Sequence, residues 1–224
     1  MDATGVILVV GPEGNMPTTS PGSGRSRLGF ADAVKESFVF LVSGFGFRLV
    51  EAQPTFVRYE SERAFVNVFH GRGSYELGVE IGHWIVIDDD RVEERFPLGD
   101  VIALDHDLAT VGYRSFATTE KEPLARLVAQ LAGWTQRFAP RALEGDATTF
   151  DRLRVENARQ SQAMQEGWRA TRLRSAADEA WHRKDWGRVV DAYGEMVSEL
   201  RTVDLKPSEL RRLRYAQEQL DSSR

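Results

Sequence analysis

The chain changes its hydrophobic period twice. Over Phe30–Val42 the apolar positions Phe30, Ala33, Val34, Phe38, Leu41 and Val42 recur every three or four residues, which predicts an amphipathic helix. Ser43-Gly44 is placed to end it, because glycine accepts the left-handed conformation that closes a helix. From Phe47 to Ile87 the period falls to two. The alternation predicts strands near Phe47–Ala52, Thr55–Glu60, Ala64–His70 and Ser74–Trp84, with a short fifth at Ile85–Ile87. The joints Gln53-Pro54, Ser61-Glu62-Arg63 and Gly71-Arg72-Gly73 are too short for crossover helices, so the strands read as an antiparallel meander. In the fourth strand Tyr75, Leu77, Val79 and Ile81 share one face, expected to pack against the first helix. Glu76, Gly78, Glu80 and Gly82 share the other.

The acidic run Asp88–Glu94 reads as a solvated hairpin or loop, Pro97–Asp105 as a short helix and Tyr113–Phe116 as a strand or turn. Beyond residue 119 the period is helical. Pro123 suits a first helical position, and Leu124, Leu127, Val128, Leu131, Trp134 and Phe138 form the stripe behind it. Further helices are predicted over Ala147–Arg172, with Phe150, Leu153, Met164 and Trp168 as apolar points, and around Ala176–Trp181. Another runs over Trp186–Leu200 behind the N-cap Asp185, and a last one starts near Pro207. The fold class is α+β: an antiparallel β-meander with an N-terminal helix packed on it, followed by a C-terminal α-helical bundle. The expected division is a disordered tail over 1–27, an antiparallel-sheet domain over 28–118 and a helical bundle over 119–224.

Composition narrows the function classes. The chain has 224 residues and no cysteine, so disulfides, thiolate metal sites and thiol chemistry are excluded. The N-terminal apolar run, Val6–Val10, is too short and lacks the preceding positive charge of an export signal. No stretch reaches the roughly 18 apolar residues that span a bilayer. A soluble, cytoplasmic protein that does not contact membranes is expected. Residues 1–145 hold 14 Lys and Arg against 20 Asp and Glu, and residues 146–224 hold 15 against 14. Neither part has the basic excess that drives nucleic-acid binding.

Catalytic signatures are missing. GVILVVGPEG leads apolar residues into glycines, but the Lys-Ser/Thr of a phosphate loop is absent. His70, His83, His106 and His182 have no metal-site spacing. Asp88–Glu94 lacks the glycine and glutamate of a calcium loop. Glu76 and Glu80 lie about 13 Å apart along a strand, farther than the roughly 5 to 9.5 Å of glycosidase pairs. No cofactor or metal is expected.

The outer face of the sheet is more informative. By parity Arg58, Phe65, Asn67, Phe69, Glu76 and Glu80 share it, and a water-facing sheet does not ordinarily expose two phenylalanines. That face is expected to be covered by the C-terminal helices or by a partner protein. The turn from His70 to Glu76, with Arg72 between two glycines, adds a cluster of polar side chains. The candidate binding face is therefore Arg58, Phe65, Asn67, Phe69, His70, Arg72, Glu76 and Glu80.

The segments FGFRLVEAQPTFVRYES and FVNVFHGRGSYELGVEIG, with the later Ala180-Trp181, Lys184-Asp185-Trp186, Tyr193 and Leu213–Ala216, resemble an uncharacterised family of small bacterial proteins. That resemblance implies no activity. Proteins of this size and pattern also look like immunity or accessory proteins of bacterial toxin systems. Residues 176–200 resemble a single tetratricopeptide-type helical hairpin, without that family's glycine and terminal proline and without a second copy. The expected role is non-enzymatic binding of another protein. The alternative is a small-ligand binder or enzyme built on the His70–Glu76 turn with Arg58.

Overall fold

Phe30, Val34, Phe38 and Leu41 are all buried, as their helical spacing requires, yet the helix that carries them is broken. The computed structural model describes residues 27–71, 73–200 and 203–222; the expected tail and its GVILVV run lie outside them, Arg27 excepted. Helix α1 (Phe30–Ser37) and helix α2 (Val39–Phe45) meet at Phe38, whose φ of −99° and ψ of 16° leave the helical region. The apolar spacing runs through this break unchanged, so nothing in the pattern marks it. Helix α2 ends at Gly46 and not at Ser43-Gly44. Gly46 takes a φ of 70°, and the Phe47 N–H donates to Leu41 O at 3.0 Å, the closure that a left-handed glycine permits.

Strands β1 (Arg48–Gln53), β2 (Phe56–Glu60), β3 (Ala64–His70), β4 (Glu76–Ile87) and β5 (Asp90–Pro97) form an antiparallel sheet in chain order. The Ile85–Ile87 strand is the end of β4, and of the two readings of the acidic run, hairpin or loop, the hairpin is the one formed: Asp88–Glu94 is its turn and the start of its returning strand. Asp88 and Asp89 both take positive φ, 49° and 69°, the two-residue turn whose twist suits adjoining strands, so β5 pairs with β4 from Ile87↔Asp90 to Glu80↔Pro97. Tyr75 leaves the fourth strand: its φ is 55° and its side chain is 38% exposed. Helix α3 (Leu98–Ala103) follows, and β6 is only Phe116–Ala117, paired with Glu76 and Leu77.

One face of the sheet carries Val57, Tyr59, Val66, Val68, Leu77, Val79, Ile81 and Phe96, all buried. Helix α4 (Lys121–Phe138) packs on α1, and α1 and α4 approach β2 and β4 respectively. Leu124, Val128, Leu131 and Trp134 of α4 are buried, each worth on the order of 1.5–3 kcal/mol in transfer terms. Helix α5 (Pro140–Leu143) completes this unit. The first compact unit therefore ends at Asp146 and not near residue 118, because α4 belongs to the core of the sheet unit.

The second unit, Ala147–Arg224, holds α6 (Ala147–His182), α7 (Trp186–Glu199) and α8 (Pro207–Ser222). The two helices expected over Ala147–Trp181 are one. No proline interrupts them, and the polar residues between are compatible with helix: Thr171 and Ser175 donate their hydroxyls to the carbonyls four residues earlier, at 3.0 and 3.2 Å. Residues 158–165 of α6 are exposed all round, which is why no period survives there. Local pairs such as Arg159–Glu156 support that stretch. Met164 and Trp168, read as apolar points, are 57% and 70% exposed.

The core of this unit is Ala170, Leu173, Ala177, Ala180, Val189, Tyr193, Met196 and Ala216. Asp185 caps α7 as its sequence predicts, accepting from Arg188 N–H at 3.2 Å. Glu209 is buried at the start of α8. Its carboxylate accepts from Arg174 Nε at 2.7 Å and from the Lys206 N–H at 2.7 Å. Burial alone would raise the Glu209 carboxyl, but the Arg174 and Lys206 hydrogen bonds outweigh it and hold it below its ordinary value. A carboxyl depressed in the folded state stabilises above its unfolded pKa, and that contribution disappears as pH falls through the folded value. Glu209→Gln is expected to cost roughly 1 kcal/mol at pH 7. Thermal melts from pH 7 to 3 should show its deficit against wild type shrinking toward the acid end. A constant deficit would assign Glu209 a packing role only.

Candidate functional site

The register of the sheet gathers a second set of side chains on the face opposite the core. Arg58 pairs with Asn67, Asn67 with Glu80, Glu60 with Phe65, Phe65 with Gly82, and Phe69 with Gly78. Directly opposed residues of antiparallel strands share a face, so Arg58, Phe65, Asn67, Phe69, Glu76 and Glu80 lie together as expected. β5 adds Arg91, Glu93 and Arg95, and β4 adds Trp84. The three from β5 follow from reading it as a strand: in Arg91–Phe96, Val92 and Phe96 point inward and Arg91, Glu93 and Arg95 outward. The three aspartates at 88–90 hid that alternation.

This face is covered in its centre by its own residues. The Phe65 ring lies across Gly82 so closely that a Cβ there would stand 2.3 Å from Phe65 Cζ. Arg58 stacks on the same ring, its Cζ 4.3 Å from the centroid, and Trp84 packs beside it at 5.3 Å. The guanidinium donates to Glu60 at 2.7 Å, forks onto Glu93 at 3.2 and 2.7 Å, and reaches Asn67 Oδ1 at 3.4 Å. Asn67 donates to Glu80 at 3.4 Å, and Arg95 approaches Glu80 at 3.7 Å. Burial works against the Arg58 charge, and Glu93 and Glu60 outweigh it, raising its pKa above the ordinary value. Phe65 and Asn67 are accordingly buried, at 0% and 1% exposure. Phe65 needs no further cover, because Gly82 receives its ring and Arg58 closes the top, whereas Phe69 on Gly78 stays partly exposed.

Not all the expected residues join this face. His70 sits three residues from Asn67, so strand alternation turns it inward. It is 1% exposed, its Nε2 donates to Thr118 O at 3.0 Å, and its ring stacks on Phe30 at 5.9 Å. Arg58 and His70 are therefore on opposite sides of the sheet and cannot act on one small ligand. Arg72 lies outside the described residues. Glu76 is exposed at the start of β4, and its charge adds to burial and Asp100 in raising the Tyr113 phenol.

Among the described residues no group of three or more His, Asp or Glu could hold a metal ion, and no helix is long and apolar enough to cross a membrane. No protein-family model, curated protein or solved structure matches the chain.

Proposed function

We propose that this is a non-enzymatic, cytoplasmic binding protein that meets a protein partner with the outer face of its sheet. The observation that supports this is the contrast within that face. Its centre is buried and internally hydrogen-bonded, while Phe56 and Phe69 remain partly exposed beside the exposed Glu76. Aromatic groups held in place before binding lose little entropy on association, and aromatic anchors within a polar rim carry most binding energy in protein interfaces. The likeness to immunity and accessory proteins of bacterial toxin systems names the partner class to try first.

The test is site-specific photocrosslinking. A crosslinking amino acid replaces Glu93 on the outer face or Asp32 on α1, and each protein is exposed to native lysate. One partner captured in stoichiometric amount from position 93 and not from position 32 is the expected result. Equal capture at both positions, or none, would overturn the reading. Phe65 is left intact in every variant, since truncating it would open the centre of the face.

A further inference from the structure

The outer face repeats one construction, and among the described residues only one copy is filled. At the first, Phe65 lies on Gly82, and Arg58 is seated on the ring at 4.3 Å between Glu60 and Glu93. Four residues along β3 the pattern recurs. Phe69 lies on Gly78 just as closely: a Cβ there would stand 2.2 Å from Phe69 Cζ. Carboxylates again flank the ring, because Glu76 and Glu80 follow the two-residue period on either side of Gly78 and share its face. Each is set about 6.6 Å from that glycine along the strand, within reach of a guanidinium over the ring. What differs is the top. Phe65 is fully buried beneath its arginine, whereas Phe69 is partly exposed. Among the described residues no cation stacks on Phe69 and no basic group pairs with Glu76. The residue opposite Phe69 is Phe56, which widens the aromatic floor.

We infer that Phe69, Gly78, Glu76 and Glu80 form a second seat for a guanidinium, supplied by an arginine of the protein partner. This rests on the outer face being the binding face, and it names the chemistry the partner must bring there. The ring supplies cation–π attraction and Glu76 the opposing charge. Arginine suits the seat better than lysine, because a planar guanidinium covers the ring while donating sideways to a carboxylate, as Arg58 does. An extended segment laid over the face would offer every second side chain to the sheet, so one arginine among alternating residues is enough.

The experiment uses the full chain and a fluorescent heptapeptide of alternating threonine and valine with one central arginine. Its partners are the same peptide with lysine or with citrulline, the neutral isostere. Anisotropy is read at low and at 0.3 M salt, with Arg72→Ala run in parallel as a control for the arginine four residues before Glu76 in the sequence. The arginine peptide is expected to bind at least tenfold more tightly than the citrulline peptide, with lysine between, and to weaken with salt. Glu76→Gln and Phe69→Leu should each remove that preference, while Asp32→Asn on α1 should not. Equal binding of arginine and citrulline peptides, or a preference that survives Glu76→Gln and Phe69→Leu, would overturn the seat. Face-specific crosslinking in lysate with no arginine preference would reject the seat and leave the binding face standing. An arginine preference with no face-specific partner would support the seat and reject the protein-binding role.

Discussion

Replacing Gly82 by alanine is expected to lower the stability of the sheet unit by about 3 kcal/mol, the upper end of ordinary overpacking. A Cβ at this position would meet Phe65 Cζ at 2.3 Å and the Glu94 backbone carbonyl oxygen at 2.4 Å. Neither neighbour can retreat. Phe65 is held beneath Arg58 and beside Trp84, and Glu94 belongs to β5, paired with β4 along its length. Gly78→Ala is the informative comparison. The three atoms nearest its new Cβ all belong to the Phe69 ring, which is partly exposed and can yield under the clash. Alanine also restricts the unfolded chain, a gain of roughly 0.4–1 kcal/mol, so the net cost there should be about 1 kcal/mol or less. Adding Phe69→Leu should rescue Gly78→Ala, whereas Phe65→Leu should not rescue Gly82→Ala, because the carbonyl clash remains. Urea unfolding of the four variants checks this. Equal costs at the two glycines would show that the rings, and not the β5 backbone, set the limit.

Arg58→Ala is expected to cost about 2–3 kcal/mol. The side chain is 12% exposed and its partner Glu60 21%, whereas Glu93 is 43% exposed. The Glu93 fork is therefore substantially screened and contributes little by itself. Most of the loss should come from leaving Glu60 half-buried without its cation and from uncovering Phe65. Arg58→Lys keeps the charge but gives up the fork and the planar stack, so it should recover only part of the loss. Denaturation at 0.05 and 0.5 M salt separates the contributions. A cost that nearly vanishes at high salt would make the interaction chiefly a screened ion pair; a cost that persists would identify cover of the ring as the main effect.

Both effects arise from a face whose membership was legible in the chain and whose closure was not. Period-two alternation in β2, β3 and β4 places Arg58, Phe65, Asn67, Phe69, Glu76 and Glu80 together, because alternation is a property of the extended backbone itself. It also separated Val57, Val66 and Ile81 into the buried set. His70 begins a polar turn, which suggests the outer face, but its place in β3 sets it inward, since strand parity outranks local polarity. Glu93 and Arg95 are hard to place from the sequence because the acidic run reads equally as hairpin or loop, yet Asp88 and Asp89 accept positive φ and make the turn that sends β5 back along β4.

The sequence by itself determined what local geometry determines: an α+β chain with helix, then strands, then helices, antiparallel pairing through short joints, the Asp185 cap, and which side of β2, β3 and β4 is apolar. These depend on residues within a few positions of one another. The tertiary structure decided the rest. It broke the first helix at Phe38, joined two predicted helices into α6, and carried α4 into the sheet unit. It also laid Phe65 and Phe69 across glycines of the neighbouring strand. Such outcomes depend on pairings between residues far apart in the chain, where the free energy comes from closure and packing and no local pattern records which partner will be met.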